Sequence, residues 1–241
     1  MTNNSALQLS QINKSHGNKV VLKNLDIRIN RGESVGLVGI NGAGKTTMLK
    51  CILDLNRVNS GEISIFGKSQ LLATSRSKLA YLPERFSAPP HLNGKDYLKF
   101  MLRLQNKSVS QVDIDTALQS LDLSKSVLKM SVRSFSKGMM QKLGLICCFL
   151  SAKDLFILDE PMSGLDPLAR MFLKNRLEEL KAAGHTLLIS THMLADVASV
   201  CDRMLVLHNN SIQFDGSPKE FATLFGEGDL DNSFVACISQ K

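Results

Sequence analysis

Little in this sequence would hold a metal, staple a secreted fold or cross a membrane. Its five cysteines, Cys51, Cys147, Cys148, Cys201 and Cys237, include no C-x-x-C pair and have no companion histidine at zinc spacing. An odd count also argues against a complete disulfide framework, so buried, reduced thiols suited to the cytosol are expected. One of the longest apolar runs, residues 143–150, is far shorter than the roughly 20 residues a membrane-crossing helix needs. The first residues, Met1-Thr2-Asn3-Asn4-Ser5, lack the charged-then-apolar layout of a secretory signal, and the protein is expected to stay inside the cell. Any membrane work would need a partner. Lys/Arg blocks, aromatic-basic alternation and a basic tail are missing too. The formal charge of +7 therefore reads as a solvated basic surface, and no nucleic-acid partner is expected. Methionines such as Met139 and Met140 have no His or Cys at ligand spacing and read as packing residues.

What is present is an alternation of strand-like and helix-like segments. The 241 residues suffice for one substantial globular domain or two small ones, with no internal repeat and no long linker to divide them. Strand character falls at residues 7–12, 20–21, 27–29, 34–38, 63–66 and 79–82, and a helical pattern at 45–53. From about residue 86 to 150 the texture changes to helix-like spacing, near 97–104, 112–121 and 138–150, which reads as a helical insertion. Alternation then resumes, with strands at 155–158, 186–190 and 204–207 and helices at 168–183 and 193–200. Strands alternating with helices imply a mostly parallel sheet covered on both faces. Asn209-Asn210 suits a hairpin turn into a strand at 211–214, and Ser217-Pro218 suits the cap and first position of a last helix.

Between the apolar strand at 34–38 and the next helix stands Gly39-Ile40-Asn41-Gly42-Ala43-Gly44-Lys45-Thr46, which satisfies G-x-x-x-x-G-K-[ST]. Its glycines let backbone N–H groups turn toward an anion, and the helix start adds its positive dipole end. Lys45 would reach terminal phosphates, and the Thr46 hydroxyl would bind magnesium. Much later, Leu155-Phe156-Ile157-Leu158-Asp159-Glu160 is an apolar strand ending in two carboxylates. Taken alone it reads as a strand with an acidic cap. Beside a phosphate loop, Asp159 is expected to hold magnesium through water and Glu160 to polarise an attacking water as general base.

Two further segments make the reading specific. Ser134-Phe135-Ser136-Lys137-Gly138-Met139-Met140-Gln141-Lys142 resembles the ABC signature, usually L-S-G-G-Q, and Asp159-Glu160-Pro161-Met162-Ser163-Gly164-Leu165-Asp166 resembles a Walker B strand running into a D-loop. Ser190-Thr191-His192 looks like the switch histidine of the same family, the ABC ATPases. The resemblance implies an α/β P-loop NTPase with a RecA-like, mostly parallel sheet core, an N-terminal antiparallel β subdomain and an inserted helical subdomain. It implies one cassette over residues 1–241, with the insertion at 86–150 and a short C-terminal helical tail at 218–241. It also implies ATP and Mg2+ as ligands, with catalytic roles for Lys45, Glu160 and His192. Nucleotide contacts would come from His16, Gly39, Asn41, Gly42, Ala43, Gly44, Lys45, Thr46 and Thr47. Metal contacts would come from Thr46, Glu84 and Asp159. Two copies would pair head to tail, with Ser136, Gly138 and Asp166 acting across the dimer, on separate membrane permease subunits at the cytoplasmic face. Without the other motifs, Ser136 and Gly138 read equally well as a simple helix cap.

Departures from the commonest pattern narrow the branch. Glu84, in Tyr81-Leu82-Pro83-Glu84-Arg85, stands where the family usually has a Q-loop glutamine, and a carboxylate is a good hard-cation ligand. Together with Ser136-Lys137-Gly138-Met139 it resembles the exporter branch. Lys14-Ser15-His16-Gly17 aligns with the loop where the family has an adenine-stacking aromatic; His16 can stack with less apolar area, or simply face solvent. Residues 85–92, together with the helical insertion, fall where the family resemblance places the groove that receives a coupling helix, and exposed apolar side chains there would support that. A soluble ABC ATPase of translation or DNA repair is the alternative, but no second cassette and no coiled-coil or zinc insertion is present. A binding-only cassette is the other, and Lys45, Asp159, Glu160 and His192 argue against it.

Overall fold

In the computed structural model, residues 4–226 and 229–239 are described. Strands β1 (Ser5–His16) and β2 (Lys19–Asn30) form a long antiparallel hairpin, followed by β3 (Ser34–Val38), α1 (Lys45–Ile52), β4 (Ser60–Ile65), β5 (Lys68–Ser69), α2 (Ala73–Arg76) and β6 (Leu79–Leu82). Helices α3 (Gly94–Leu104), α4 (Gln111–Gln119) and α5 (Lys137–Leu150), with short 3-10 turns at Lys125–Lys129 and Val132–Ser134, separate β6 from β7 (Leu155–Asp159). The chain continues through α6 (Pro167–Ala182), β8 (Thr186–Thr191), α7 (Leu194–Val200), β9 (Arg203–His208), β10 (Ser211–Gly216), α8 (Pro218–Phe225) and α9 (Leu230–Ser239).

Two sheets result. The larger has the order β10-β9-β3-β8-β7-β6, parallel except for the edge strand β10; the smaller is antiparallel, β2-β1-β4-β5. Alternate residues of the central strands feed different cores, as the period of two requires. Leu37, Leu155 and Ile157 join α1 and the inner face of the antiparallel sheet in one cluster. Val38, Phe156 and Leu158 join α5, α6 and α7 in the other. The strands of the larger sheet are thus apolar on both sides, which is why they read as continuous hydrophobic runs.

The expected short strands at 7–12, 20–21 and 27–29 are pieces of two 12-residue strands. Register shifts break their alternation, and Gln11 (φ 51°) and Asn24 (φ 49°) sit in the left-handed region. Asn209 (φ 46°) and Asn210 (φ 68°) both adopt positive φ, as a two-residue type I′ hairpin demands. Ser217 caps α8 with a reciprocal bond pair to Glu220. That helix is not the last, however, because α9 follows and packs on α8 and α7. Of the expected tail, residues 227–228 and 240–241 lie outside the described residues.

All five thiols are buried, and burial pushes every one upward in pKa, Cys148 and Cys201 to about 12. Among the described residues no helix is long and apolar enough to cross a membrane. In residues 85–92, Phe86 and Leu92 are half-buried against the core and Pro90 is exposed. Phe86 packs edge-on to Tyr97 at 5.9 Å and Ala88 is buried. The exposed apolar side chains of the insertion include Phe100 and Leu104 on α3.

Candidate nucleotide site

The phosphate loop is shaped by what glycine permits. A side chain at Gly39 would place its Cβ 2.5 Å from the Leu207 carbonyl oxygen of β9, so the loop can leave β3 only without one. Gly44 precedes α1 at φ 111° and gives the helix no side-chain cap. The first N–H groups of α1 are therefore left for an outside acceptor, with the dipole behind them. Lys45, at the first helical position, is 7% exposed and donates from Nζ to the Gly39 carbonyl at 2.6 Å. Burial lowers its pKa from the ordinary lysine value, while Glu160, Asp159 and Glu84 pull in the opposite direction.

Opposite the loop, β7 delivers Asp159 and Glu160. Asp159 is buried and accepts from both sides: Thr46 Oγ1 donates to Oδ2 at 3.0 Å, and Ser190 Oγ donates to Oδ1. Ser190 is its cross-strand partner on β8, so sheet register brings the bond about. Glu160 turns sharply out of the strand at φ 50°, a left-handed conformation costing a non-glycine residue about 1–2 kcal/mol. Its N–H donates to the Ser190 carbonyl at 3.0 Å, and its Oε1 lies 2.9 Å from Nδ1 of His192, just beyond the end of β8.

These groups share a cavity of about 590 Å³. Asn41, Gly42, Gly44, Lys45, Thr46 and Thr47 line it from the loop, with Asp159, Glu160, His192 and Glu84 facing them. His16 lines one end, beside Lys19, Val20 and Val21 at the hairpin tip. Gly39 and Ala43 act behind the surface, through the Lys45 bond and an Ala43 N–H to Ile40 carbonyl turn of 3.1 Å. Lys19, Arg85, Ser163 and Asn210 also line the cavity and belong to no phosphate motif. For Asn210 the one usable signal was its hairpin turn.

Ser136, Gly138 and Asp166 do not line this cavity. Ser136 caps α5, its Oγ accepting from the Met139 N–H at 3.1 Å, and Asp166 caps α6, its Oδ1 accepting from the Ala169 N–H at 2.8 Å. Gly138 lies so close to the Gly164 carbonyl that a Cβ would sit 3.0 Å from it. Lys137 reaches Ser163 Oγ at 3.2 Å, tying the two segments together.

Oxygen donors fit a small hard cation. Thr46 and Asp159 are 3.0 Å apart with Glu84 on the same cavity, while no cluster of three His, Cys, Asp or Glu side chains occurs among the described residues. Such sparse protein ligation suits Mg2+ held largely by phosphate oxygens and water.

Comparison with known proteins agrees with this fold. A family model described as ABC transporter matches residues 22–163. The ABC-type transporter ATP-binding protein EcsA of Bacillus subtilis is 34% identical over 237 residues, covering 96% of each chain. The Nod factor export ATP-binding protein I of Sinorhizobium fredii is 31% identical over 217 residues, covering 88% of this chain and 63% of that one. A solved ATP-binding subunit of an ABC transporter superimposes with a TM-score of 0.87 at 32% identity, covering 97% of this chain and 99% of the other.

Proposed function

The chain belongs to the ABC transporter family as one of its ATP-binding proteins, and on that premise we propose that it hydrolyses ATP to drive a separate membrane permease. The observation that carries this reading is the meeting of Lys45, Thr46, Asp159, Glu160 and His192 on one cavity. ATP would lie with its phosphates on the N–H groups opening α1, and Lys45 would exchange its loop-carbonyl bonds for phosphate oxygens. Thr46 and Asp159, with Glu84 at the rim, would hold Mg2+, which supplies charge neutralisation to the phosphates. Glu160 would orient and deprotonate the attacking water, and His192, bonded to it, would fix the carboxylate and approach the γ-phosphate. His16 would stack on the base.

Ser136, Gly138 and Asp166 would complete the partner's site in a head-to-tail homodimer. Support comes from their exclusion from the chain's own cavity while the uncapped α1 start awaits an anion. Residues 1–241 would act as a single cassette, with 86–150 as the signature-bearing insertion. Glu84, the Ser136-Lys137-Gly138-Met139 pattern and the name of the Nod factor export relative favour an exporter, working at the cytoplasmic face of the membrane. The test is Mg2+-dependent phosphate release from ATP by the purified chain and by its complex with the permease. Absence of release from both would overturn the proposal.

A further inference from the structure

We infer that Gln141 is a positioning residue for Glu160, linking the signature helix α5 to the orientation of the hydrolytic carboxylate. The inference rests on Glu160 acting as the base. Gln141 lies in the second turn of α5 and is 5% exposed, an uncommon place for a primary amide unless both ends are used. Its Nε2 donates to the carbonyl of Pro161 at 3.1 Å and to that of Glu160 at 3.3 Å. Those carbonyls bracket a strained bend: Glu160 has φ 50° and is followed by a proline. The proline turns the preceding backbone away from the right-handed helical region, and a left-handed non-glycine residue persists only where its surroundings over-determine it.

The surroundings can be counted off. The Glu160 N–H is held by the Ser190 carbonyl, its own carbonyl by the Ser163 N–H at 3.0 Å, and its carboxylate by His192. Gln141 is the contact that comes from another body of the molecule. The next residue, Lys142, is also buried and donates from Nζ to the Asp122 carbonyl at 3.0 Å, in the turn after α4. Successive residues on α5 therefore grip the two sides of the molecule, the catalytic bend through Gln141 and the helical insertion through Lys142. Helix α5 is a short lever with Ser136 and Gly138 in its first turn. A load on that turn reaches Glu160 through the Gln141 amide, alongside the Lys137–Ser163 contact.

Two variants of the full chain test this. Gln141→Met keeps length and burial but removes both donors. It should bind ATP within about twofold of wild type while kcat falls about ten- to a hundredfold, the scale expected for a misoriented reacting group. Gln141→Glu faces two carbonyl oxygens with a carboxylate that has no donor, yet regains an O–H when protonated. Its kcat relative to wild type should therefore rise as pH falls. A merely structural role would lower melting temperature without that pH-dependent recovery. A folded Gln141→Met with kcat within about twofold of wild type overturns the inference. If Gln141→Met does not fold, Gln141→Glu decides: a flat ratio to wild type across pH overturns it, and a rising one supports it. Should wild type release no phosphate either alone or in complex with the permease, the reading of Glu160 fails first, and this inference with it.

Discussion

The catalytic edge and the signature edge of this molecule are built to different degrees of completion. At the catalytic edge, Asp159 is bonded to Thr46 and Ser190, Glu160 to His192, and Lys45 to its own loop, so each charged group is held before any ligand arrives. At the signature edge, Ser136 and Asp166 are satisfied only as helix caps and line no shared cavity with Lys45. One edge is preorganised; the other is a well-formed surface whose ligand must be brought to it. On the proposed reading, a chain built this way would bind nucleotide alone and would need a second copy to close over it.

The sharpest way to separate the two edges is Glu160→Gln. ATP binding should be retained and a closed dimer should accumulate, while phosphate release falls at least about a hundredfold. Size-exclusion with ATP and a phosphate assay read both, and unchanged turnover would remove Glu160 from the base role. Next in size is a mixing experiment. Lys45→Ala damages only the catalytic edge and Ser136→Asp, which keeps a capping side chain on α5 but sets a carboxylate where a phosphate must arrive, only the signature edge, so each homodimer should be inactive. Head-to-tail pairing puts both defects in one site of a mixed dimer and leaves the other intact. Mixing equal amounts should then restore about a quarter of wild-type turnover. A mixture as inactive as its components would show that the two edges do not meet across copies.

A smaller effect concerns charge. The pKa of Lys45 is lowered by burial, so the ammonium is lost on alkalisation earlier than in an ordinary lysine. Bound phosphate favours the charged form. ATP affinity should therefore weaken as pH rises toward that lowered pKa, with proton uptake on binding measurable by calorimetry in buffers of different ionisation heat. Smallest is Ser136→Ala. Losing the α5 cap should cost about 1 kcal/mol of stability in the nucleotide-free chain, read from denaturant melts, while ATP binding to the monomer is unaffected.

Much of the catalytic edge was legible because its chemistry is local in sequence. A glycine-rich turn between an apolar strand and a helix, and a buried strand ending in Asp159-Glu160, carry their own reasons for being where they are. The strand at residues 79–82 coincides with β6, and the strand at 34–38 with β3. The antiparallel sheet was legible only in fragments, since bulged residues such as Gln11 break the period-two pattern on which strand reading depends. Helix α9 lies within the helical tail expected at 218–241 but was not told apart from α8, although Gly226, Gly228 and Asp229 stand between them in sequence and Asp229 Oδ1 accepts from the Asp231 N–H at 3.0 Å. Gln141 was invisible for a different reason. A buried amide gains its meaning from the carbonyls of Glu160 and Pro161, about twenty residues away in sequence, and no spacing rule encodes that meeting.

The buried cysteines have a practical reach beyond packing. With every native thiol buried and its pKa raised by burial, the chain offers little to an alkylating reagent or a mild oxidant. A single cysteine placed at an exposed point such as Ser136 would therefore report alone. Its labelling rate, or the spin-label distance to its counterpart on a second copy, would test whether the proposed dimer opens and closes, without stripping the native thiols first.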